Sequence, residues 1–449
     1  MAAPAHHPET AAERLIARSI TATWLLWLIG GLYIAGPVIG WALTGMVVVA
    51  LYLGRKNIAA IPATIWLWHA GMAAMLLILW AGHANFALGT AQTIKSSIGW
   101  AKGWALIALF PMAGAVLDIR LPVIARAVCR LSMWTLLMLP LFLAAPFVGL
   151  PEMLYVSPLK AVGGPGPEYF ATILYTIEPG AGTPRWQFFA PWSPAAGMVA
   201  VVYVFLAAQE RDLFWKAIGI FGFLAVAVLS QSRLALVAMV ALVPIVWAVA
   251  RVDRAAVWFI AAPVLLLVGL FASDLVSFVD QLMSDFSSAR ADSSRVRAAL
   301  GRIAMDRWEN EAFWFGHGIV ESGPHLVEYM PIGSHHSWYG LLFVKGLAGA
   351  LALAVPLAVT VAVLLWRARL GALHRTALSM ILILVLYSFG ENLEILAYLY
   401  WPALIVIGRA LAFRNAPPDD DPAFAEDTGD DVPDTLTAPP GETARASSL

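Results

Sequence analysis

The sequence predicts an all-α protein, a polytopic membrane helix bundle of about 12 transmembrane helices carrying two longer loops on one side. Three observations predict it. Residues of hydrophobic type make up 60% of the chain and charged ones only 13%, with 19 tryptophans and a mean hydropathy of +0.76, far from the usual soluble domain. The apolar residues come in continuous runs near the roughly 20 residues that cross a hydrocarbon core, whereas a barrel would show short alternating segments. Short basic connectors recur at every second junction between runs, as the positive-inside rule requires.

Along the chain, residues 1–19 are polar, with Arg14 and Arg18 ahead of the first run, and are expected in the cytoplasm as the lead into an uncleaved span. The transmembrane domain is expected over 20–412, with runs at roughly 20–36, 37–54, 61–82, 100–117, 131–150, 193–209, 213–230, 234–250, 255–273, 337–366, 376–390 and 395–412. The connectors at Arg55-Lys56, 120–130, 211–216, 251–254, 367–375 and 409–414 face the cytoplasm on this reading, so both termini do. Two long connections, 151–192 and 274–336, then face outward, where long insertions usually carry function. The second predicts an amphipathic helix over 294–310, with Val296, Leu300, Ile303 and Trp308 as its apolar positions. The tail 413–449, rich in Asp, Glu and Pro, is expected to be disordered. Cys129 is the single cysteine, which excludes an intramolecular disulfide and a cysteine-based metal cluster.

The outward side holds an unusual concentration of arginine. Ser230-Gln231-Ser232-Arg233 joins two runs with almost no loop, which places Arg233 at membrane depth or at the outer headgroups. A guanidinium there snorkels to lipid phosphate or meets a functional anion. Arg295 and Arg297 offer planar forks of donors suited to phosphate oxygens, and either one suits a diphosphate held against Arg233. Arg290, Arg302 and Arg307 read instead as partners of Asp292, Asp306, Glu309 and Glu311 on a solvated helix face. After Gly316-His317-Gly318 comes Ser334-His335-His336-Ser337-Trp338-Tyr339, which puts His336 or its neighbour His335 at the mouth of a span, able to take a proton from a hydroxyl. The competing reading of this histidine is a helix cap or a glycan-stacking ring. Weaker acceptor or glycan contacts are Glu391, Arg185, Trp338 and Tyr339; Glu391 and Glu394 equally suit a hydrated hairpin. Lys345, nine residues beyond His336 and about 13 Å along a helix, is a candidate phosphate contact in a segment that Gly346 and Gly349 are expected to break.

In this order, Ser232-Arg233, Ser294-Arg295, Gly316-His317-Gly318 and His336-Ser337-Trp338-Tyr339 through Gly346-Leu347-Ala348-Gly349 resemble the O-antigen ligase and O-antigen polymerase family of bacterial membrane glycosyltransferases. The match covers roughly residues 195–370 in ordered motifs. It departs from the family at Ser337, where asparagine is common after the key histidine, and the doubled histidine leaves the register of the base open. The resemblance implies an inner-membrane enzyme that transfers a glycan from undecaprenyl diphosphate to a glycan or lipid A-core hydroxyl at the periplasmic face. Arg233 with Arg295 or Arg297, and Lys345, would meet the diphosphate, and His336 or His335 would act on the acceptor. It implies inversion, membrane lipids and, for a polymerase, a chain-length regulator as partners, and no nucleic acid. No cofactor and no metal are expected, since the dense acidic run Asp419-Asp420-Asp421 falls in the cytoplasmic tail, out of reach of an outer-face donor. A flippase or transporter of lipid-linked sugars and a structural subunit of an export complex are the rival classes. The clustering of ionisable residues at one face favours the enzyme.

Overall fold

The computed structural model describes residues 6–178, 182–271, 291–333 and 335–413, together with 274, 277 and 281. It is mainly helical, and among the described residues six helical stretches are long and apolar enough to cross a membrane: Leu32–Tyr52, Ala63–Asn85, Thr90–Val116, Leu121–Ala144, Ser337–Leu370 and Leu393–Ala412. Shorter apolar helices accompany them at Ser193–Ala207, Leu213–Leu229, Arg233–Val249 and Ala372–Ser388. The expectations for Arg290, Ser334 and the tail from 414 onward lie outside the described residues.

Helix α1 (Ala11–Thr21) begins in a capping box: the Thr10 hydroxyl accepts from the Glu13 N–H at 3.1 Å and the Glu13 carboxylate accepts from the Thr10 N–H. The same carboxylate accepts from Arg120 Nε at 2.9 Å, which ties the first helix to the entry of α7 (Leu121–Ala144). After α2 (Thr23–Leu28) the chain turns at Gly30, whose φ of +66° is open to glycine and where Ser157 and the Phe170 carbonyl occupy the space of a Cβ. Helix α3 (Leu32–Tyr52) therefore starts earlier than the expected boundary at 36/37, and Pro37 lies inside it, where its ring removes the i→i−4 donor to the Tyr33 carbonyl.

Helices α4 (Ala63–Asn85), α5 (Thr90–Lys102) and α6 (Trp104–Val116) follow. Gly103 separates the last two, with the Glu394 side chain filling the place of its missing Cβ. The connector expected over 120–130 is helical, because α7 begins at Leu121. Arg126 is accommodated inside it by a bidentate pair with Glu210 at 2.7 and 3.0 Å, and its guanidinium lies 5.3 Å from the centre of the Trp215 ring.

Between α7 and α8 (Ser193–Ala207) lie two small antiparallel sheets, β1 (Met153–Val156) with β2 (Ala171–Ile173) and β3 (Thr176–Ile177) with β4 (Pro184–Arg185). Helix α9 (Leu213–Leu229) is capped by Asp212, and α10 (Arg233–Val249) and α11 (Ala255–Leu270) follow it. Helix α12 (Ala291–Glu311) slightly exceeds the expected 294–310. Val296 and Leu300 are buried on it, with Ile303 partly so, against Val327, Ile332 and Phe343 in a satellite core.

Helix α13 (Ser337–Arg367) is broken at Gly346, where φ is 62° and ψ is −166°. The break leaves helical amides and carbonyls without partners, and the segment 313–318 supplies them. His317 and Gly318 donate to the Phe343 and Val344 carbonyls at 2.9 Å, and Leu347 and Ala348 donate to the Phe313 and Trp314 carbonyls at 2.9 and 3.2 Å. Helices α14 (Ala372–Ser388) and α15 (Leu393–Ala412) complete the chain. Helix α15 is the most enclosed of the long spans and packs closely on α6, where Gly114 and Gly408 admit the Ile405 and Pro111 carbonyls.

Candidate functional site

At one end of the bundle the turn before α10, the middle of α12, the entry to α13 and the turn between α14 and α15 come together. The α9–α10 turn is tight. Ser230 closes α9, Gln231 takes a positive φ of 52°, and Ser232 precedes Arg233, the first residue of α10. The Ser232 side chain fits against Gly197 of α8, in space a Cβ would fill, and lies beside the Tyr387 hydroxyl of α14. Leu234 reaches Gly390. Arg233 is half-buried, and the start of α10 that carries it lies next to the α14–α15 turn.

Arg185, expected as a weak glycan contact, stabilises this turn. Its guanidinium donates to the Ser230 carbonyl at 3.2 and 3.3 Å and pairs with Glu178 at 3.0 Å. On α12 both Arg295 and Arg297 are exposed. They differ in their neighbours, since the positive charge of Arg297 acts on both His335 and Glu391.

The two histidines play different parts. His336 is the N-cap of α13, its Nδ1 accepting from the Tyr339 N–H at 3.3 Å, and its ring stacks on Tyr339 at 4.0 Å. An imidazole that accepts at Nδ1 carries its proton at Nε2, so this nitrogen is a donor in the neutral ring. His335 keeps a buried Nδ1 without a hydrogen-bond partner among the described residues. Burial, and then Arg297, push its pKa down to about 4.

Glu391 sits in the α14–α15 turn at 1% exposure. Its Oε2 accepts from Trp192 Nε1 at 2.9 Å, while Oε1 is buried with no partner among the described residues. Ser337 pins the backbone there by donating to the Glu391 carbonyl at 2.7 Å and accepting from the Leu393 N–H at 2.9 Å. Burial raises the Glu391 pKa to about 7, although Arg297 and the Trp192 hydrogen bond pull it down. Trp338 bonds Ser388 at 2.9 Å, and Tyr339 packs against Gly301, so these two half-buried aromatics join α13 to α14 and α12.

Lys345 belongs to another group. It is 4% exposed, just before the break in α13, with Glu394 as its charged counterpart and His83 nearby, and it is not placed with the arginines. His317 also acts locally, with its Nδ1 meeting the Phe343 carbonyl at 3.0 Å and its Nε2 meeting Glu311 at 2.8 Å. Glu311 and Glu321 hold Arg307, as the solvated-face reading of that arginine expects in part. Among the described residues no group of His, Cys, Asp and Glu is arranged to hold a metal ion. Sequence reasoning missed Ser337 and Trp192 as the pair that fixes Glu391, and neither carries a local signal for it. No family model matches this chain, and no curated protein matches it.

Proposed function

We propose that the protein is a membrane glycosyltransferase that uses a glycan linked to undecaprenyl diphosphate and transfers or polymerises it at the periplasmic face of a bacterial inner membrane. On this reading about 12 helices span the membrane, both termini are cytoplasmic, and the product belongs to a surface polysaccharide. The observation that supports the proposal is the meeting of Arg297, His335 and Glu391 at one end of the bundle, with Arg233 opening α10 beside the same α14–α15 turn. The guanidiniums would stabilise the charge that grows on the departing diphosphate where water is partly excluded. A base would take the proton of the attacking hydroxyl, and direct displacement would invert the anomeric centre. Ligation to lipid A-core is the same chemistry with another acceptor.

Transport of lipid-linked sugars is a second reading, favoured by the buried Lys345 and His83 and the half-buried Glu394 inside the helical body. Reconstitution of the purified protein with an undecaprenyl-diphosphate-linked glycan tests both. Transfer that survives chelator and falls at least about 100-fold in Arg233→Ala and Arg297→Ala is expected of the enzyme. Intact donor crossing the bilayer without transfer would overturn it in favour of the transporter. A ladder of products marks a polymerase, and a single addition marks a ligase.

A further inference from the structure

We propose that Glu391, rather than either histidine, is the general base of the transfer and takes the acceptor hydroxyl's proton on Oε1; this rests on the glycosyltransferase reading above. The carboxyl is held in one orientation from two sides, by Trp192 on Oε2 and by Ser337 on its backbone, and the other oxygen is left buried and unpartnered among the described residues. A buried acceptor oxygen without a donor is costly in a resting protein and suits an incoming hydroxyl. His336 spends Nδ1 on the α13 cap. His335 is held neutral by burial and Arg297 and is a far weaker base than a carboxylate whose pKa is raised to about 7.

The groups that face Glu391 are consistent with this role. Arg297 comes from α12, Tyr387 from α14, Tyr169 from the segment before β2, and Trp192 from the residue before α8. Arg233 adjoins Leu234, which packs on Gly390. In the step itself, the acceptor oxygen forms the new bond to the anomeric carbon. The bond from that carbon to the diphosphate oxygen breaks, and its electron pair leaves with the polyprenyl diphosphate. The hydroxyl proton passes to Glu391 Oε1 and is later released to water.

The test compares transfer by the full-length wild type, Glu391→Gln and Glu391→Asp in liposomes containing undecaprenyl-diphosphate-linked glycan and an acceptor glycan, from about pH 5 to about pH 9. Wild-type kcat is expected to rise with pH through about 7, the value of the Glu391 carboxyl. Glu391→Gln is expected to lose about 100-fold or more in kcat together with that rise, with the donor KM unchanged, and Glu391→Asp to retain part of the activity with a displaced rise. A Glu391→Gln protein with the wild-type rate and pH profile would overturn the assignment to Glu391 and leave the transferase reading standing. A wild type inactive at every pH would overturn both. Infrared titration of the wild type does not depend on the variants folding. A protonated-carboxyl band that disappears between about pH 6 and about pH 8 is expected, and its absence would overturn the proposal.

Discussion

At the scale of single residues, Glu391 couples stability to pH with a defined sign. Its pKa is raised in the folded protein from 4.5 to about 7, so the folded state holds a proton that the unfolded state has released over that range. The contribution is complete below about pH 4.5 and is lost as pH rises through about 7, a difference on the order of 3 kcal/mol. Glu391→Gln removes the slope, and above about pH 7 it is expected to melt higher than the wild type while failing to transfer glycan. Equal melting temperatures across that range would refute the linkage. His336 permits a separate decision. Its loss as an N-cap in His336→Ala costs about 1 kcal/mol, and His336→Asn, which can accept from the same N–H, is expected to restore both melting temperature and transfer. Restored stability without transfer would give the ring itself a chemical role. The sequence marked both histidines and both arginines but left each pair undivided. Which histidine caps and which arginine shares its charge with Glu391 depends on the rotation of α12 and the start of α13, and a motif does not carry those angles.

At the scale of elements, the helices of strong apolar periodicity and the near loop-free α9–α10 turn were legible, as was a weakness at Gly346. The misplacements have local causes. The start of α3 moved because Gly30 turns the chain there, and α7 begins ten residues earlier than its apolar run because Arg126 is neutralised by Glu210, a partner 84 positions away. The partner of the α13 break was equally invisible, since segment 313–318 supplies it through backbone amides and carbonyls, which any sequence possesses. Gly346 adopts a φ of 62° with ψ near −166°, and a Cβ there would collide with the Trp314 backbone. Gly346→Ala is therefore expected to cost at least about 3 kcal/mol and to reduce the folded yield sharply. Size-exclusion chromatography of the detergent-extracted variant measures this, and a wild-type yield would show that the break has another cause.

At the scale of the whole molecule, charges separate toward two ends. Lys56 pairs with Asp118, Arg120 with Glu9 and Glu13, and Arg126 with Glu210 at one end, while Arg185, Arg233 and Arg297 gather at the other. The buried Cys129 leaves the rest of the surface free of thiols, so single cysteines report sidedness without further substitution. A membrane-impermeant maleimide applied to intact spheroplasts is expected to label Val162→Cys and to spare Tyr52→Cys, both of which are exposed positions. The reverse pattern would invert the orientation. The spliced helix adds a consequence for biogenesis. The carbonyls of Phe343 and Val344 and the amides of Leu347 and Ala348 are satisfied by a segment of chain that emerges from the ribosome earlier. Gly346 lies nine residues into α13, about 14 Å along its axis, a depth at which lipid offers no substitute donors or acceptors. Segment 313–318 precedes α13 in synthesis, so these backbone groups find their partners only once α13 has followed and docked on it, and a chain in which that docking fails leaves them unpaired.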